Sequence, residues 1–302
     1  GHGTLVGGII KKIAPDVKLI SIKVTDETGF AEVAWLEKGL ELALNLNVSI
    51  IHASLGSTQL DSINTSLISE ISERNIPFIV SAGNYGPYGS SITSPAIFSE
   101  IISVGMSFNQ TVVPLVSSSG PRPSGIMGPD IIAPGVNIAG YNHENIPVNE
   151  SGTSFAAPFV TGGVALLKEK FKEVSTTTIK AALLDSAKFV DNISPIHQGN
   201  GFIDLSNTYL KLLELSEENP LFVFAPREIN SSFSYFGHSI NGENRTYKIS
   251  LYSTLNSTLT NFDLTQTYPS YYNNTNNEKI DHKSPFEINI GNIGENLTQG
   301  LN

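Results

Sequence analysis

Cysteine is absent from these 302 residues. That excludes thiol nucleophiles, disulfides and Cys-based metal sites, and it leaves the compartment open, because many exported proteins manage without disulfides. Positive charge is scarce too: 18 Lys and Arg stand against 28 Asp and Glu, a formal charge of −10. A general nucleic-acid binder needs a basic footprint, so that class is set aside and an acidic, solvated surface is expected instead. No uninterrupted apolar run approaches the ~20 residues that span a bilayer. Against these absences, 40% hydrophobic residues and 26 glycines fit a folded α/β globule rather than a disordered chain.

Periodicity supplies the elements. Residues 2–12 read as a helix, and KLISIKV (18–24) alternates as a strand. A helix over 31–46, a strand at 48–54, a helix over 62–74 and strands at 77–82 and 101–106 follow. Helices over 153–170, 175–187 and about 204–215 complete this part. Alternating β and α elements predict a doubly wound parallel sheet. After about residue 217 the character changes to short β-prone runs, NPLFVFAPREINSSFSYF, NRTYKISLYSTL and SPFEINIGNI, between Asn, Ser, Gly and Pro clusters. Two domains are therefore expected: an α/β domain at 1–216 and a partial, sandwich-like β module at 217–302.

The chemistry concentrates in two blocks, GHGTLVGG at 1–8 and SGTSFAAP at 151–158. Each puts a reactive side chain at the start of a predicted helix. A serine hydroxyl needs an adjacent base to take its proton as it attacks a carbonyl, and histidine has the pKa for that role. His2 and Ser154 are thus the candidate base and nucleophile. Small neighbours around Ser154 leave room for a substrate backbone. Asn84 ends the apolar run PFIVSAGN, where its amide could join the Ser154 N–H in stabilising an oxyanion. The other histidines, His52 among them, have no partner spacing and read as surface or packed residues. Trp35 falls on the apolar face of its helix.

Between those blocks lie HASLGS (52–57), SAGN (81–84) and PDIIAPGVNI (129–138). Five segments in this order over roughly 160 residues resemble the subtilisin-like serine proteases, the subtilase family. The resemblance covers about residues 1–215. It implies a serine endopeptidase acting on polypeptides through an acyl-enzyme, with Ser154 as nucleophile, His2 as base and Asn84 in the oxyanion hole. It further implies that Ser54, Leu55 and Gly56 pair with the substrate backbone. Ala82 and Gly83, with Thr93 and Ser94, would shape the pocket for the residue before the scissile bond, and Leu55 with Val33 an apolar subsite. No acidic residue falls in that pocket, which favours an uncharged or apolar preference. Pro158 would ordinarily break a helix, but the family motif contains that proline, so a continuous, kinked helix is expected.

One family feature is missing. Subtilases complete their triad with an aspartate on a strand upstream of the histidine, and His2 is the second residue here. Neither Asp16, Asp26 nor Asp130 can be assigned the role from sequence. The chain is accordingly expected to be a fragment, inactive in isolation, of an active monomeric protease. The alternative is a non-catalytic, peptide-binding subtilase-like module. No cofactor is required. The loop that helps bind calcium in well-known secreted members is shortened to GGIIKKIAPDV, and no Asp-rich loop indicates calcium elsewhere. Ten N-x-S/T sequons favour an extracellular or cell-surface location. One of them, Asn149, lies close to Ser154 and is expected to be unmodified.

Overall fold

Helices form where apolar side chains recur every three or four residues. In α1 (His2–Ile13) Leu5, Val6, Ile9 and Ile10 are buried, and Lys11 and Lys12 meet the negative end of the helix dipole. In α2 (Val33–Asn45) the buried set is Leu36, Leu40, Ala43 and Leu44. α3 (Thr65–Glu73) is capped by Asn64, whose side chain accepts from the Ser66 N–H. α5 (Thr176–Ser186) is capped in the same way by Ser175, and α7 (Leu205–Leu213) by Asp204. α4 (Thr153–Lys170) is buried on nearly every side, from Thr153 to Leu167, as befits a helix in the middle of a domain. The computed structural model describes residues 1–59, 63–214, 222–225 and 250–253.

Four strands, β1 (Ile51–Ala53), β2 (Phe78–Ser81), β3 (Ile102–Ser107) and β4 (Ile131–Pro134), pair in parallel in that order. The register sets Val80 opposite Ser103 and Val104 opposite Ile131. Successive side chains alternate between two apolar layers. Ile79, Ile102, Val104 and Met106 pack with α4 and α5 on one face. Phe78, Val80, Ile51 and Ala53 pack with α2 and α3 on the other. Helices on both faces of a parallel sheet make the architecture doubly wound.

Several features depart from the sequence reading: β4 lies in a block for which no strand was expected, and Trp35, placed on the apolar face of α2, is exposed. KLISIKV is not a strand: no hydrogen bond joins the backbone of residues 18–24 to a strand among the described residues. Its side chains still find apolar neighbours. Leu19 approaches Gly7, and Val24 lies so close to Gly39 that a Cβ there would sit 2.6 Å from its Cγ1. β-propensity alone does not make a strand; a ladder partner does. Next, the segment after β4 forms an unanticipated hairpin, β5 (Ile138–Tyr141) with β6 (Pro147–Glu150), on which α1 packs. A short helix, α6 (Pro195–Gln198), was also not foreseen.

α4 runs unbroken through Pro158. In the C-terminal region β7 (Phe222–Ala225) pairs antiparallel with β8 (Ser250–Ser253). The run SPFEINIGNI and the expected boundary at 216–217 lie outside the described residues. No helix among the described residues is long and apolar enough to cross a membrane.

Candidate active site

α1 and α4 pack so closely that a Cβ on Gly162 would meet the Cβ of Ile13 at 2.7 Å. The His2 ring lies 5.4 Å from that of Phe155, the residue after Ser154. The base and nucleophile candidates thus share one corner of the molecule. No hydrogen bond joins them: Ser154 Oγ donates instead to the Ser54 carbonyl at 3.4 Å, long for an O–H···O bond. Bonds of this kind are often long without substrate and tighten when it binds. Burial lowers the His2 pKa, and the Glu150 carboxylate opposes that effect. A His2 held neutral is in the protonation state a general base requires.

Asn84 leaves β2 and reaches the first turn of α4. Its Oδ1 accepts from the Thr153 N–H (3.0 Å) and the Thr153 hydroxyl (3.1 Å), and Thr153 Oγ1 accepts from the Gly83 N–H (3.2 Å). These bonds fix the amide plane and direct Nδ2 toward Gly152, where a Cβ would stand 3.3 Å away. The N–H groups of a helix's first turn have no intrahelical partner. Here the Thr153 N–H goes to Asn84 and the Phe155 N–H to the Gly152 carbonyl. Among the described residues neither the Ser154 N–H nor Asn84 Nδ2 has an acceptor, and both lie at the first turn of α4.

The expected substrate-binding segments converge on the same corner. The Ser57 and Ser94 backbones exchange two hydrogen bonds of 2.9 Å, and the Thr93 N–H donates to the Ala82 carbonyl. Gly56 must be glycine, because a Cβ would lie 2.2 Å from Thr93 Oγ1. Gly83 combines φ +111° with Thr93 and Ser118 both within about 3 Å of a would-be Cβ. Leu55 and Val33 both lean on the α2–α3 apolar layer.

His52, read from sequence as a surface or packed residue without partner spacing, is packed and does have partners. It is the one polar position of β1, turned toward α4. Nδ1 is 2.7 Å from Thr161 Oγ1 and Nε2 is 2.8 Å from Ser54 Oγ, while the Ser54 hydroxyl donates to the Ser154 carbonyl at 2.7 Å. Burial, with a smaller contribution from the nearby charge of His2, pushes its pKa down to about 4. No spacing rule could have found this contact, since it joins residues 109 apart in the chain.

Two of the downstream aspartates are occupied elsewhere. Asp26 closes a surface turn onto Thr28 and Phe30. Asp130 lies buried with Arg122 Nη2 at 2.7 Å and Lys180 Nζ at 3.3 Å, and it accepts from the Ser103 N–H. Among the described residues no group of three or more His, Asp or Glu is placed to hold a metal ion.

A model of the subtilase family matches residues 1–201, and the chain belongs to that peptidase family. It is similar to a thermostable alkaline protease of Halalkalibacterium halodurans, 33% identical over 215 residues, covering 67% of this chain and 56% of that protein. It is also similar to the human membrane-bound transcription factor site-1 protease, 28% identical over 225 residues, covering 69% of this chain and 21% of that one. The chain therefore spans about half the length of the first relative and a fifth of the second. Among solved structures, the prenylagaramide maturation protease PagA matches with TM-score 0.53 and 28% identity, over 61% of this chain and 69% of that one. A lanthipeptide protease matches with TM-score 0.59 at 22% identity, over 70% of this chain and 75% of that one, a likeness of fold.

Proposed function

We propose that this chain supplies most of the catalytic domain of a serine endopeptidase. Ser154 Oγ attacks the scissile carbonyl as His2 takes its proton. The charge that forms on the carbonyl oxygen is held by Asn84 Nδ2 and the Ser154 N–H. His2 then returns the proton to the leaving amine, and the same base activates a water that hydrolyses the acyl-enzyme. The observation that carries this reading is the pair of acceptor-free donors at the first turn of α4, the Ser154 N–H and the amide of Asn84, which its bonds to Thr153 hold in place, since oxyanion stabilisation requires pre-positioned N–H groups.

Among the described residues no carboxylate hydrogen-bonds the His2 ring. We assign the orienting aspartate to chain outside this sequence, where it would select the tautomer and stabilise the imidazolium. Substrate would add as an extended strand along 54–56, its preceding side chain entering the neutral pocket of Ala82, Gly83, Thr93 and Ser94. An uncharged or apolar side chain fits that lining. The sequons favour an exported enzyme.

The test is covalent labelling of the complete protein with a fluorophosphonate, alongside hydrolysis of a peptide library. Labelling and hydrolysis should both vanish in Ser154→Ala, a loss on the order of 10⁶-fold in turnover. Peptide binding with neither labelling nor turnover would instead establish a non-catalytic module.

A further inference from the structure

Pro158 sits four residues after Ser154 inside α4. A carbonyl at position i of a helix accepts from the N–H at i+4, and proline has none. The Ser154 carbonyl is therefore deprived of its helical donor at the peptide group adjoining the nucleophile's own Cα. The Ser54 hydroxyl takes that place at 2.7 Å.

A hydroxyl has one proton and can rotate it, so something must direct it. His52 Nε2, 2.8 Å from Ser54 Oγ, does so if it carries the ring proton. It then donates to Ser54, whose own proton is left to the Ser154 carbonyl. In that tautomer Nδ1 is an acceptor, and Thr161 Oγ1 at 2.7 Å supplies the proton. Thr161 can spare it, because the Ala157 carbonyl that its hydroxyl also approaches at 3.1 Å still has the Thr161 backbone N–H. A neutral imidazole thus ties α4 to β1 at two points, Thr161 directly and Ser154 through Ser54, seven residues apart on one helix. The surrounding layer is apolar, with Ile79, Ala157 and Val160 all fully buried. A polar group placed there needs every bond it makes.

We infer that His52 is a positioning residue for the nucleophile: by orienting the Ser54 hydroxyl it fixes the Ser154 peptide that Pro158 leaves unsupported. This rests on the protease reading above. The predicted signature is kinetic. Substrate would pair with the backbone of 54–56, which the Ser54 side chain does not alter, so KM should hold while kcat falls.

The experiment uses the complete protein with a peptide p-nitroanilide, the fluorophosphonate labelling rate and thermal melting. His52→Leu and Ser54→Ala should each lower kcat about tenfold. KM should stay within about twofold, since no substrate-binding group is removed. The labelling rate should fall in parallel, and the double variant should lose no more than either single one, because both remove the same support. His52→Gln, which can keep a donor near the Nε2 position, should recover kcat to within about threefold of wild type. A His52→Leu protein with a lower melting temperature but unchanged kcat would reduce the residue to a structural one and overturn the inference, as would fully additive losses. Should His52→Leu fail to fold, Ser54→Ala decides alone: a reduced kcat at constant KM supports the role, and an unchanged kcat overturns it. Wild-type protein that neither labels nor turns over would remove the protease reading itself, and with it the positioning role.

Discussion

The two edges of the four-stranded sheet are built differently. At the β4 edge a loop closes the ladder: the Ile132 N–H donates to the Gly201 carbonyl, the Ile203 N–H to the Ile132 carbonyl, and Lys188 bridges Phe202 in turn. Beneath that edge Asp130 is held between Arg122 and Lys180, all three fully buried. At the β1 edge the described residues supply no further strand. KLISIKV, which has the composition for one, is without a ladder among the described residues and leaves Leu19 and Ile20 about half exposed, at 47% and 56%. The buried titratable group there is one neutral histidine rather than an ionic cluster. The covered edge is closed by backbone bonds and paired charge, whereas the open edge holds the candidate site, where His52 and Ser54 tie β1 to α4.

Breaking the ionic cluster should have the largest effect on stability. Burial by itself would raise the Asp130 pKa, but the two cations overcome it and hold the carboxyl below the ordinary aspartate range. Asp130→Asn strands Arg122 and Lys180 as buried charges and should cost roughly 3–5 kcal/mol in urea unfolding of the complete protein. A loss below 1 kcal/mol would show that the charges do not support this edge.

The open edge should be the more sensitive to mild acid. With a folded-state pKa of about 4 against an ordinary 6.5, His52 binds a proton more readily unfolded than folded. Its contribution is complete above about pH 6.5 and declines as the pH falls toward 4, by an amount that approaches about 3 kcal/mol. His52→Gln should flatten that slope in stability measured between those limits. A slope unchanged by the substitution would assign the acid sensitivity to other groups.

The smallest effect should come from Lys188, whose side chain is 56% exposed and pairs with Asp204 at 2.9 Å. Lys188→Ala should change stability by less than about 1 kcal/mol, because an exposed ion pair gains little. The loop is held by its backbone ladder with Phe202, which the substitution leaves in place. A larger loss in the same unfolding assay would move the credit from the ladder to the ion pair.

Much of this molecule was legible without coordinates. The five blocks identify the family, and 3.6-residue spacing placed α1, α2, α4 and α5 to within two or three residues. The apolar run PFIVSAGN announced a buried strand with Asn84 at its exit. The β5–β6 hairpin was not legible, because its strands, PVNE especially, lack clean alternation and lie largely exposed. Nor was the role of Asp130, since a buried carboxylate is recognised by partners eight residues upstream and 50 downstream rather than by its neighbours.

Helix, turn and motif are local properties, written in spacings of a few residues, and these the sequence by itself determined: which side chains are candidates for the chemistry, which segments coil and to which family the chain belongs. Only the tertiary structure decided that KLISIKV finds no ladder among the described residues, that the hydroxyl of Ser54 reaches the Ser154 carbonyl that Pro158 leaves without a helical donor, and that His52 faces Thr161. Each of those depends on which distant group arrives to satisfy a backbone or side-chain hydrogen bond, and chain spacing carries no record of that.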